Sequence, residues 1–279
     1  MFELNSMLNS FCKIILTLII VLVGFISKPV LSQDTTRSLN NEAFQVGERL
    51  KYGFYYDAWL TGKITAGYGV LEVKESNRNF DDREVYHIKA EGKSKGFFNM
   101  FYKVRDRFDS YVDKESLAPH YFIRRTKEGG FIKDDEYDFH QYENYVITRS
   151  DSIEIPLFTQ DFISAIYFAR TFNTDTLEIG DIIPIDFFLD DSVYNSAIIY
   201  DGKGIVDINL GRFNCLKFLP GMATGEVFSN KYPMELWITD DKNHVPILAR
   251  SAIIVGNVKA ELVEFEGLAS PLTSLIELY

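Results

Sequence analysis

The stretch Leu236–Arg250, LWITDDKNHVPILAR, brings Asp240, Asp241 and His244 close together. These residue types can ligate a metal or exchange protons. A metal site takes three or four convergent donors, and no second His or Glu cluster lies near these three. The same types also build turns, because Asp accepts backbone N–H groups two residues on and Pro fixes φ where a strand begins. A second stretch, VDKESLAPHYFIRR, aligns with it without a gap, placing Asp113 on Asp240, Pro119 on Pro246 and Leu117 where His244 stands. One copy therefore does without the histidine. Asp113, Pro119, Asp240 and Pro246 read as turn residues, with Trp237 in the core, and His244→Ala is expected to change folding and function little.

The other chemical candidates are dispersed. His87, His120, His140 and His244 show no metal-ligand spacing, and Asp81–Asp82, Asp134–Asp135–Glu136 and Asp190–Asp191 border strands or turns as solvated charges. G-x-S-x-G, Walker and G-x-G-x-x-G motifs are absent. Cys215, in RFNCLKFLP, has no histidine nearby in sequence and reads as a small buried hydrophobe. These observations lean away from an enzyme and give no metal, cofactor or catalytic residue. A hydrolase using scattered carboxylates, for example on a glycan, stays open as the alternative, as does an envelope assembly factor.

One stretch is unusual for its apolar content. KGFFNMFYKVRDRF sets Phe97, Phe98, Met100, Phe101 and Tyr102 within six residues, followed by Arg105 and Arg107. It reads either as a core strand or as an apolar lip or cavity wall. On the second reading these five, with Phe162 and Tyr167, are candidate ligand-binding residues.

The elements that must position them are mostly strands. Aromatic residues are 15% of the chain, in short runs with β-branched neighbours, separated by turn residues. In KITAGYGVLEVKE, Ile64, Ala66, Tyr68 and Val70 alternate onto one face. TQDFISAIYFARTFN instead has helical spacing, which predicts one helix over about 160–172, with Thr159 or Asp161 at its start. VGERLKYGFYYD (46–57) also aligns with IGDIIPIDFFLD (179–190). Both alignments run in the same order, which predicts related halves at about 46–150 and 179–268. The expected class is all-β dominant: a strongly curved antiparallel sheet, or an incomplete barrel or sandwich, with one packed helix.

Lys13, the thirteen apolar residues Ile14–Ile26 and the small residues before Gln33 have the layout of a secretory signal peptide over 1–32. A helix needs about 20 apolar residues to span a bilayer, so no transmembrane helix is expected in the mature chain. Residues 33–41 read as a disordered linker and 42–268 as a single exported domain. The net charge of −11 becomes −12 once Glu3, Lys13 and Lys28 leave with the signal. That acidity argues against nucleic acid and against adsorption to anionic lipid.

The order AFQVGERLKYGFYYDAWLTGKITAGYGVLEV, FYKVRDRFDSYVDKESLAPHYFIRRTKEGG, QDFISAIYFAR, LWITDDKNHVPILARSAIIVGNVKAEL resembles domain of unknown function 3108, a family of exported proteins of Gram-negative bacteria. Its marks match at Gly47, Glu48, Leu50, Tyr52, Gly67, Asp106, Pro119, Asp161, Arg170, Trp237, Asp241, Pro246 and Gly256. The resemblance implies a β-rich exported domain and carries over no activity. The Trp-Ile…Asp…Pro hairpin also resembles, in turn pattern and architecture, periplasmic lipoprotein carriers. The reading is a periplasmic or outer-membrane-associated binding protein whose partner is a hydrophobic small molecule, a lipid or a lipoprotein.

Overall fold

The structure is a computed structural model that describes residues 37–58, 62–80, 82–220, 234–252 and 257–279. The segment expected to be a signal peptide lies outside them, as do Asp81 and Gly256. Strands dominate, at 61%, and form one large, curved, unclosed sheet rather than a sandwich.

Two antiparallel meanders make up that sheet. The first comprises β1 (Arg49–Ala58), β2 (Gly62–Glu75), β3 (Val85–Ser94), β4 (Val104–Asp113), β5 (Pro119–Glu128) and β6 (Phe131–His140), extended by the short β7 (Tyr145–Ile147) and β8 (Ser152–Glu154). The second begins with β9 (Gln160–Asp161) and β10 (Ile182–Leu189). It runs through β11 (Ser192–Ile208), β12 (Gly211–Pro220), β13 (Met234–Thr239) and β14 (Pro246–Ala252) to β15 (Asn257–Glu266). The antiparallel pair β1–β15 joins the two, while β9 meets β10 in parallel and β16 (Leu275–Leu278) pairs with β12. Residues beyond 268 thus add a strand to the same sheet.

The two meanders enter through turns built alike. Gly47 and Gly180 have φ of 96° and 99°, a left-handed conformation that glycine adopts without penalty. Gly47 N–H donates to Val73 O and Val73 N–H to Glu48 O; Gly180 N–H donates to Tyr200 O and Tyr200 N–H to Asp181 O.

Period-two alternation holds along most strands and fails at one instructive place. In β2 the buried face passes from Ala66 to Gly67, Gly69 and Val73, leaving Tyr68 and Val70 half-buried. A bulge is the cause: Phe54 pairs with Gly67 and Tyr55 with Thr65, so Ala66 is the extra residue and the alternation flips there.

Among the described residues two α-helices pack on this frame. α1 (Gly96–Phe101) replaces the core strand that KGFFNMFYKV suggested, because Gly96 turns at φ 58° and ends the extended run. α2 (Phe162–Ala169) lies within the expected span of 160–172. Asp161 caps it, accepting the N–H groups of Ile163 and Ser164 while Ser164 Oγ accepts the N–H of Asp161, a reciprocal capping box. Residues 37–41 are coil tied to the β4–β5 turn through Leu39 N–H to Glu115 O and Arg37 Nε to Ser116 O.

Candidate functional site

A cavity of about 280 Å³ opens inside the curve of the sheet, near the lower end of the roughly 300–1,000 Å³ usual for small-molecule sites. Its walls are apolar for a local reason. β2 and β3 place small residues inward, Ala66, Gly67, Gly69, Ala90 and Gly92, and Phe54, Phe108, Phe187 and Phe218 stand around them. A Cβ at Gly67 would sit 2.3 Å from Lys93 O, so only glycine permits that approach of β2 to β3. α2 supplies the remaining wall with Phe162, Ile166 and Ala169.

What holds α2 over the cavity is a buried ion pair. Arg170, at the end of the helix, donates from both terminal nitrogens to the two Glu48 oxygens at 2.7 Å. It also donates to Ala43 O at 2.8 Å and Asn243 O at 3.1 Å. Both side chains are fully buried. Burial alone would push the guanidinium down, yet the adjacent carboxylate holds it above its usual value. One arginine thus joins the segment before β1, the end of α2 and the β13–β14 turn.

The Asp–Asp–His stretch resolves into this scaffold. Asp241 accepts the Asn243 N–H, the Thr239 hydroxyl and the Ser274 N–H at 3.0, 3.0 and 3.2 Å. Asp240 instead pairs with Lys203 at 2.8 Å on the surface. The turn-building acid here is Asp241, in a loop one residue longer than its counterpart: Val112 pairs with Pro119, but Ile238 with Pro246. In the shorter loop Asp113 itself accepts the Glu115 and Ser116 N–H groups. Leu117 and His244 both take left-handed φ, 53° and 43°. Trp237 is only half-buried, lying against Gly204 with Lys217 over its ring.

His244 does more than the alignment with Leu117 suggests. Its Nδ1 contacts Arg170 O at 2.7 Å and its Nε2 contacts Thr174 Oγ1 at 3.2 Å, clamping the end of α2. His244→Ala is thus expected to cost about 1–2 kcal/mol rather than nothing. Urea unfolding checks it; an unchanged midpoint would remove the clamp from the account.

The predicted aromatic residues divide. Phe97, Met100 and Phe101 point outward from α1, 68%, 79% and 54% exposed, while Phe98 and Tyr102, four residues apart, form its buried stripe. Phe162 lines the cavity. Tyr167 is buried on the opposite side, edge-on to Phe44 and 5.0 Å from the Arg170 guanidinium.

Two further carboxyls face inward without having been anticipated. Asp106 lies on the cavity wall and accepts the Lys127 N–H at 3.1 Å. Glu128, buried on β5, stands within hydrogen-bonding reach of it. Burial pushes both carboxyls up, and the charge of Asp106 pushes Glu128 further, so the pair shares a proton at neutral pH. The signal was present in VRDRFDS, where period two puts Asp106 on the face of Val104 and Phe108. Cys215 is buried and its thiol pushed up to about 12, which makes it inert. Among the described residues, no three His, Cys, Asp or Glu side chains are placed to hold a metal ion. Nor is any helix among them long and apolar enough to cross a membrane.

The fold and its interior define a β-barrel-like protein with an apolar cavity. The chain belongs to the family described as protein of unknown function (DUF3108), whose sequence model matches residues 50–263. Among solved structures it is similar to a β-barrel-like protein of domain of unknown function DUF1849 from Brucella abortus, with 10% identity and a TM-score of 0.54. That match covers 80% of this chain and 98% of the other, and shows a shared fold. A protein with a YmcC-like fold from Bacteroides fragilis matches at 10% identity over 82% of this chain and 99% of its own, with a TM-score of 0.31. No curated protein sequence matches the chain.

Proposed function

We propose that the protein is an exported, non-catalytic carrier or binding protein of the cell envelope, periplasmic or outer-membrane-associated. Its ligand is the apolar chain of a lipid, lipoprotein or other amphiphile. The observation that carries this reading is the cavity: apolar walls of glycine, alanine and phenylalanine, roofed by a helix that a buried ion pair holds in place. The signal-like amino terminus supplies the export part of the reading.

The test is solvent extraction of the purified protein followed by mass spectrometry, together with titration of a fluorescent fatty-acid probe. Wild-type protein is expected to release an acyl-bearing compound and to bind the probe. Ala66→Phe, which places a ring in the cavity, is expected to lose both while keeping its melting temperature within a few degrees. Preparations that are empty and indifferent to the probe would sink the proposal.

The alternative, a hydrolase working through two carboxyls, has one observation behind it, the Asp106–Glu128 pair. Only Asp106 lines the cavity. Asp106→Asn separates the readings, because a carrier keeps its extracted lipid in that variant whereas a hydrolase loses turnover.

A further inference from the structure

The rim where β3 ends, β4 begins and β5 ends carries a row of like charges. Lys93 stands directly opposite Arg105, and Arg105 opposite Lys127. Like charges facing one another across a sheet are destabilising. Two residues further along, Arg107 also stands opposite Arg125, but that pair is flanked by acids, with Glu91 opposite Arg107 and Asp134 of β6 opposite Arg125. Among the described residues the nearby carboxylates are engaged elsewhere, Glu91 with Lys89 and Asp134 and Glu136 with Arg125 and Arg149. Among the described residues Arg105 donates to the main-chain carbonyls of Ser94 and Val104 and to no carboxylate. Lys95 and Lys103, which flank α1, are exposed and likewise have no carboxylate within ion-pair distance among the described residues.

Apolar side chains crowd the same rim. Phe97, Met100 and Phe101 project from α1, and the β5–β6 hairpin adds Phe131 and Ile132, 52% and 68% exposed. Helix and hairpin are adjacent, for Gly129 N–H donates to Lys103 O at 2.9 Å and the Tyr102 ring closes on Gly129. Contiguous exposed apolar surface of this kind marks an interaction site.

We propose that this rim docks on an anionic phospholipid bilayer. The exposed side chains of α1 and the hairpin seat at the boundary of headgroups and acyl chains, and Lys93, Arg105 and Lys127 meet the phosphates. Large apolar residues bordered by lysine and arginine are the composition that interfacial elements use. The chain's negative total does not oppose this, because at physiological salt charges beyond about 8 Å are screened and the local patch decides. A second copy fits worse, since a symmetric contact would set cation against cation. The inference concerns the outer rim and holds whatever occupies the cavity.

The test places a reporter at the rim, Phe101→Trp in the full chain, read as the difference from the parent with its two native tryptophans. Vesicles of phosphatidylcholine mixed with phosphatidylglycerol are expected to shift the emission to the blue and to allow quenching by brominated acyl chains. Pure phosphatidylcholine is expected to do neither. Adding Lys93→Gln, Arg105→Gln and Lys127→Gln is expected to weaken binding to the mixed vesicles roughly 100-fold, with circular dichroism confirming the fold. Emission indifferent to vesicles overturns the proposal, and so does an equal shift in neutral vesicles. A concentration-dependent shift without lipid assigns the rim to self-association and overturns it too.

Discussion

Arg170→Ala is expected to lower the unfolding free energy by about 3–5 kcal/mol, the cost of breaking a buried ion pair from one side. The substitution strands the Glu48 carboxylate, fully buried, with its two charged hydrogen bonds gone. It also removes the donors that serve Ala43 O and Asn243 O. Domains are stable by only about 5–15 kcal/mol, so the loss is a large part of the total. At this chain length it corresponds to a melting temperature lower by roughly 10 °C. The double variant Glu48→Leu/Arg170→Met is expected to recover most of it, because apolar groups of similar volume replace both charges at once. Ala43 O and Asn243 O remain short of a donor, so recovery stays incomplete. Urea midpoints of the wild type, both single variants and the double variant give the coupling. A loss below about 1 kcal/mol for Arg170→Ala would show that the pair behaves like a surface salt bridge.

This pair also marks where the sequence stopped being readable. Glu48 and Arg170 lie 122 residues apart, and nothing local in ERLKYG or YFARTF requires them to meet. Local signals did better. Alternation gave the β class, and Asp161 before FISAIYF gave the helix start, because each reports the chain's immediate geometry. Alternation misled at Ala66, where a bulge adds one residue to β2, and in KGFFNMFYKV, where composition favoured a strand. The spacing of Phe98 and Tyr102 there already suited one buried stripe of a helix, with Phe97, Met100 and Phe101 left outside. The gapless alignment of the two Asp…Pro loops set Leu117 on His244, and both residues take left-handed φ. It chose Asp240 over Asp241 because one of the groups that select Asp241, the Ser274 N–H, comes from 33 residues further along the chain.

Stability is expected to peak near pH 4 and to fall toward pH 8, an unusual direction for an acidic protein. Two sets of carboxyls act with opposite sign. Burial works against Asp109, yet hydrogen bonds from His87 and Arg107 hold it at about 2. Asp113 is likewise held well below the usual range against its burial, by His120, Arg83 and Ser116. The stability these depressed groups contribute is present above the unfolded value of about 3.9 and is lost as the pH falls through their folded values. Asp161, Asp106 and Glu128 do the reverse. Burial raises Asp161 to about 6, against the hydrogen bonds of Ser110 and the α2 amides, and raises Glu128 to about 8, helped by Asp106. Their folded forms hold protons that the unfolded chain has released, so stability declines as the pH climbs from about 4.3 through those values. Above about 8.5 the buried Cys215 thiol adds to the decline. Glu128→Gln supplies the shared donor permanently and removes one ionisation. It is expected to match the wild type at pH 5 and to exceed it by on the order of 2 kcal/mol at pH 8, a gain of roughly 4–8 °C in melting temperature. Thermal melts of both proteins at pH 5, 6.5 and 8 decide the matter. Parallel curves across that range would mean that water reaches the pair freely and that Asp106 and Glu128 titrate as ordinary surface acids.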